Sequence, residues 1–181
     1  RFQGGLINLL GTMKLKHIIL PFSIIVLVWA CATQTGVTPD SARPGNGEAL
    51  FTRAEEFFGT GSYAEALTLY LEYIQLYEDQ PLAAAALMKI GYIYAANGEY
   101  ENARSAYQRI PADYPSNSFV QDALVANLYT YYQQGRYQDV IQFAPATLQR
   151  LDSNLYIFKA YALTGDTYLA MDSPIDAIDN Y

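Results

Sequence analysis

One cysteine, Cys31, and one histidine, His17, are all the thiol and imidazole that this 181-residue chain contains. Everything after Cys31 therefore has neither. That stretch cannot run a Ser-His-Asp or Cys-His mechanism, and it lacks the ligands that structural zinc prefers. Chemistry carried by carboxylates alone stays open, but the paired acids Glu55-Glu56 and Glu99/Glu101 sit near expected helix ends, where acids are common on a solvated face. Cations are scarce too, with 11 Lys and Arg against 18 Asp and Glu. A nucleic-acid partner, which needs a basic surface to neutralise phosphates, is not expected. The apolar run Ile18–Trp29, interrupted only by Pro21 and Ser23, is too short for a comfortable bilayer span.

What the chain does have is an internal period of 37 residues. Gly61, Gly98, Gly135 and Asp172 are spaced at that interval, as are Tyr63, Tyr100, Tyr137 and Pro174, and Ala66, Ala103, Val140 and Ala177. A fixed period in this range marks stacked repeats, each burying its apolar face against the next. The second unit shows the logic. Leu87, Ile90, Gly91 and Tyr94 follow the i, i+3, i+4, i+7 spacing of one helix face, and Asn97-Gly98 supplies a left-handed stop. Tyr100, Ala103, Tyr107 and Ile110 then form the matching face of a second helix. Small residues at Gly91 and Ala103 let the two backbones approach, with Tyr94 and Tyr107 filling the layers beside them. The pattern predicts seven full helices and a truncated eighth, without a strand, in units of about 48–81, 82–117, 118–154 and 155–181. Tyr114-Pro115-Ser116-Asn117-Ser118 and Asp152-Ser153-Asn154 read as connections that cap the next helix. Asp172-Ser173-Pro174 reads as a helix start. Pro145 is expected to end or kink its helix after Phe143.

Leu87, Ile90, Gly91, Tyr94, Gly98, Tyr100, Ala103, Tyr107 and Pro115 fall in the order of the tetratricopeptide repeat (TPR), and the resemblance covers about residues 48–181. The first unit has Ala54 and the third Leu128 where the helix-A glycine would stand; the fourth recovers Gly165. Three residues more than the family's usual unit lengthen the connection from each second helix to the next first helix. The resemblance implies an all-α, right-handed superhelical solenoid of about three and a half repeats, truncated at the C-terminus, since Tyr181 falls inside an expected helix. It also implies a concave groove lined by first helices, at Phe51, Glu55, Phe58, Met88, Tyr92, Val125, Tyr129, Tyr132, Lys159, Ala162, Asp166 and Leu169. Of these, Glu55, Met88, Tyr92, Tyr129, Tyr132 and Asp166 are the candidate partner-binding residues. Aromatic and Met side chains give large contact area at low entropic cost, which suits recognition of a protein or peptide segment. Met88, Tyr92, Val125 and Tyr129 include no cation, so the family's carboxylate-clamp variant is not expected.

The N-terminus resembles a bacterial lipoprotein signal. Met13-Lys14-Leu15-Lys16-His17 is basic, the apolar run follows, and Leu27-Val28-Trp29-Ala30-Cys31 resembles a lipobox despite the bulk of Trp29. Residues 1–12 read as upstream translation and 13–30 as signal peptide. The resemblance implies that Cys31 carries the lipid and that Ala32 directs the product to the periplasmic face of the outer membrane. Residues 31–47, rich in Gly, Pro, Ser and Thr, read as a flexible tether. Loss of Arg1, Lys14 and Lys16 with the leader takes the basic residues from 11 to 8 against 18 acidic, a net charge of −10.

The expected function is thus a non-enzymatic envelope scaffold that needs no cofactor or metal. Leu163 to Ala177 resembles the closing repeat of penicillin-binding protein activator (LpoA-like) lipoproteins, which would place the protein in the regulation of peptidoglycan synthesis. The sequence is also similar to BamD-like components of outer-membrane protein assembly and to CpoB-like Tol-Pal coordinators. A different class stays open, in which these repeats are the docking arm of a solute-binding protein or enzyme whose active domain lies beyond residue 181.

Overall fold

The computed structural model describes residues 46–180. Eight helices succeed one another: α1 (Asn46–Gly59), α2 (Tyr63–Tyr77), α3 (Ala83–Ala96), α4 (Tyr100–Asp113), α5 (Val120–Gln133), α6 (Tyr137–Leu148), α7 (Asn154–Ala170) and α8 (Pro174–Ile178). No strand occurs among the described residues. Each helix packs on its chain neighbours, and α5 also meets α7. That one-dimensional order is the TPR-like solenoid. Helix α1 starts at Asn46, two residues inside the segment read as tether, where Gly47 lies against the Tyr77 ring closely enough that a Cβ would stand 3.2 Å from it.

The period is written in the backbone. Gly61, Gly98 and Gly135 have φ of +78°, +79° and +73°, and Asp172, in the same place in the fourth unit, has φ +60°. Each of these residues ends a first helix with the same pair of bonds. In the first unit the Ser62 amide donates to the Phe57 carbonyl at 2.9 Å and Gly61 to Phe58 at 3.1 Å. In the fourth, Ser173 donates to Tyr168 at 2.9 Å and Asp172 to Leu169 at 3.0 Å. This left-handed cap satisfies orphan carbonyls, and glycine occupies it without a Cβ penalty. Gly98→Ala is therefore expected to lower stability by roughly 1–2 kcal/mol, and Asp172→Gly to raise it by a smaller amount. Thermal unfolding of the two variants should move in opposite directions.

A small-against-large rule fills the hairpins. Ala54 and Tyr70 share one core in the first unit, and Gly91 and Tyr107 pack in the second. The third inverts the volumes, with Leu128 and Ala144 in a common cluster. All six are buried. At Gly91 the fit leaves no room, since a Cβ would stand 2.4 Å from Tyr107 Cε1. The sequence reading had the small residues admitting the partner backbone; what Gly91 admits is the Tyr107 ring.

Two expectations are corrected. Pro145 does not end α6, which continues to Leu148. The proline forfeits one hydrogen bond within the helix, yet Ala144 and Thr147 on either side are buried and the Gln149 amide still donates to the Pro145 carbonyl at 3.2 Å. Packing of that face holds the helix. Second, no Ser153 side-chain bond caps α7. The Asp152 and Ser153 amides donate instead to Gln121 Oε1 of α5, at 3.4 and 3.1 Å.

Candidate interaction surface

Glu55, Tyr92, Tyr129 and Asp166 are one position of the repeat, each 37 residues from the next, on α1, α3, α5 and α7. Asn127 Oδ1 accepts from Gln108 of α4, and at 100° per residue Tyr129 lies roughly 160° from Asn127 around α5, on a different side from that contact. Tyr92 is 50% exposed and Tyr129 47%.

The four do not have the same surroundings. Tyr92 closes an aromatic cluster between the first two units, with its ring centroid 5.5 Å from Phe58 and 6.2 Å from Tyr63, both edge-on. The neighbouring Tyr92 phenol raises the Tyr63 phenol above its ordinary range, with some burial adding to the effect. Tyr129 stacks on Tyr132 of its own helix at 5.9 Å and 15°, and Tyr132 reaches Tyr137 at 5.5 Å. Tyr132 and Met88 are half-buried, and Asp166 is exposed. Glu55 is tied inward: it accepts a hydrogen bond from the buried Tyr70 hydroxyl and pairs with Lys89 Nζ at 3.4 Å. Burial, followed by the Glu55 bond and charge, pushes the Tyr70 phenol well above its usual value. Lys89 lies 4.1 Å above the Phe58 ring, so the cation and Glu55 clamp the first unit to the second.

Three groove candidates turn toward the interior. Phe51 packs edge-on against Tyr70 and Tyr73 at 5.7 and 5.6 Å, and Phe58 meets Tyr70 at 6.5 Å. Val125 packs on the cluster of Leu124, Leu151 and Ala160. Helix α7 adds exposed apolar side chains that sequence reasoning missed, Leu155, Phe158 and Tyr161, beside the expected Leu169.

Sequence reasoning also missed Arg104. It is only 3% exposed, yet fully partnered. Its guanidinium donates to Thr130 Oγ1 at 3.2 Å and Gln134 Oε1 at 3.1 Å, pairs with Glu101, and lies 4.3 Å over the Tyr131 ring. Arg136 stands 5.0 Å from the centroid of the same ring and 3.6 Å from Glu101. Glu101 is thus a bridge between α4 and Arg136, the residue that precedes α6, as well as a solvated acid. This polar layer fixes the second unit to the third; a buried cation holds such a role only when its donors are satisfied.

Among the described residues no three His, Cys, Asp or Glu side chains group to hold a metal, and no helix is long and apolar enough to cross a membrane. Cys31 and the leader lie outside the described residues.

Residues 51–118 match the tetratricopeptide repeat family. Among solved structures, one of MamA aligns with a TM-score of 0.60 and 21% identity, covering 77% of this chain and 77% of that one. A MamA RS-1 ArsTM double mutant aligns at 0.59 and 14%, covering 76% and 72%. At these identities the likeness is one of fold. No curated protein sequence matches the chain. The fold defines a TPR-type helical solenoid, an architecture whose extended surfaces serve protein–protein contact.

Proposed function

We propose that the chain is a non-enzymatic scaffold that holds a partner protein on its first-helix surface, tethered by a lipid on Cys31 to the periplasmic face of the outer membrane. The observation that carries the binding half is the exposure of Tyr92 and Tyr129 at one repeat position. Half-exposed rings already fixed by neighbouring rings lose little freedom on binding, so their burial translates efficiently into affinity. The partner segment is apolar with some Lys or Arg, because the chain is acidic. A penicillin-binding protein is the envelope partner we favour, on the likeness of Leu163 to Ala177 to activator lipoproteins.

The anchoring half is supported by the basic, apolar and Ala-Cys segments in succession before a Gly- and Pro-containing stretch. Expressed in a Gram-negative host with labelled palmitate, the full chain should incorporate label and sediment with outer membranes. Cys31→Ser should do neither. Undiminished labelling of that variant would remove Cys31 from the account. The binding half is tested by partner capture on the immobilised chain, which Tyr92→Ala combined with Tyr129→Ala should weaken by about a hundredfold.

A further inference from the structure

A channel between α4 and α6, floored by α5, is left unused by the aromatic surface. Two hollows of about 330 and about 300 Å³ share Gln108, Leu124, Asn127 and Arg150. Pro111 and Ala112 form one wall, and Phe143 and Ala146 the other. The channel exists because small side chains stand where the helices part: Ala112 and Ala146 are exposed, and Ala123 beneath them is fully buried. Phe143, 37% exposed, offers a ring at the rim. The Gln108 and Asn127 amides meet at 3.4 Å across it, a long bond that a competing polar group can replace.

The charge of the lining is the informative part. In a chain of net charge −7, neither hollow is lined by an acid and both are lined by Arg150. Lys89, Arg104, Arg109 and Arg136 each pair with a carboxylate, while Arg53 and Lys159 lie over aromatic rings. Among the described residues Arg150 is the cation with neither kind of partner. Its place just past the end of α6 suits a cation on its own account, but leaves the planar guanidinium fork open to a carboxylate.

We propose that this channel is a second docking surface, for a partner segment that presents a carboxylate beside aliphatic side chains. The aliphatic groups fill the hollows over Leu124, and the carboxylate takes the Arg150 fork. This preference is opposite in sign to that of the Tyr92 and Tyr129 surface, so one scaffold can hold two unlike partners on different sides of α5.

The test is a displayed random-peptide library selected on the immobilised full chain. Wild-type protein should enrich peptides with Asp or Glu next to Leu, Ile or Val. Ala146→Trp, which fills the channel from an exposed position, should recover none of that set, and Arg150→Glu should replace its acids by Lys or Arg. In solution a selected peptide should bind Arg150→Gln about tenfold more weakly than wild type and bind the Tyr92→Ala, Tyr129→Ala variant unchanged, which separates this site from the aromatic one. Helical circular dichroism confirms that each variant is folded, and Arg150→Gln carries the test if Ala146→Trp is not. The proposal is overturned if no peptide is enriched, if enriched peptides are basic, or if the acidic set survives both substitutions. It is overturned equally if sedimentation shows a self-association that Arg150→Gln abolishes, because the occupant is then a second copy of the chain.

Discussion

Gly91→Leu is expected to disrupt the solenoid, lowering stability by about 3 kcal/mol or more. Even a methyl group at this position meets the Tyr107 ring at 2.4 Å. That ring cannot swing aside freely, because it is packed in the core and only 5% exposed. A loss of this size corresponds to a fall in Tm on the order of 10 °C. The third unit supplies the control, since there Leu128 faces Ala144. Gly91→Leu combined with Tyr107→Ala reproduces that pairing and should recover much of the loss, although Tyr107→Ala alone opens a cavity and is destabilising. A double-mutant cycle in which the two costs simply add would contradict the volume exchange between first and second helices.

The second large effect is on binding. Tyr92→Ala with Tyr129→Ala should weaken capture of the partner by about a hundredfold, as expected when two aromatic anchors are removed at roughly 1–2 kcal/mol each. The helical signal should persist, because both rings are about half exposed. The single variants should differ. Tyr129 leans on Tyr132 of its own helix, so its loss should leave the fold alone, whereas Tyr92 also joins Phe58 and Tyr63 across two units and its loss should reduce stability slightly as well. Raised salt should weaken the complex only modestly, since apolar burial is unscreened while exposed ion pairs are screened. Complete release by salt alone would mean that charge, not aromatic contact, carries recognition.

Why some of this was legible in the sequence and some was not has a physical basis. Turns demanding a positive φ leave a compositional mark, so the period of Gly61, Gly98 and Gly135 located the hairpins, and the departure at Asp172 kept the same geometry. The resemblance to the repeat family likewise implied a surface position for Tyr92 and Tyr129, which are 50% and 47% exposed. Arg104 escaped because a lone arginine in a helix ordinarily lies on the solvated face. The available clue was its column, which holds Leu67 and Ile141 in the flanking units and marks a position that faces inward. Glu55 fits the groove by position, yet its partner Tyr70 is on the other helix of the hairpin, a pairing that no local pattern encodes. Pro145 was judged by backbone chemistry alone, and tertiary packing outweighed it. The channel beside Arg150 depends on small residues from three helices and becomes visible only when they are assembled.

The central claim, that recognition runs along the first helices through Tyr92 and Tyr129, is tested most directly by site-specific photocrosslinking of the full chain in cells. A photoreactive residue at position 92 or 129 should form a discrete covalent adduct with a single partner protein, and the same residue at the exposed Glu72 of α2 should form none. Adducts from position 72 without any from 92 or 129 would place recognition on the second helices and contradict the account.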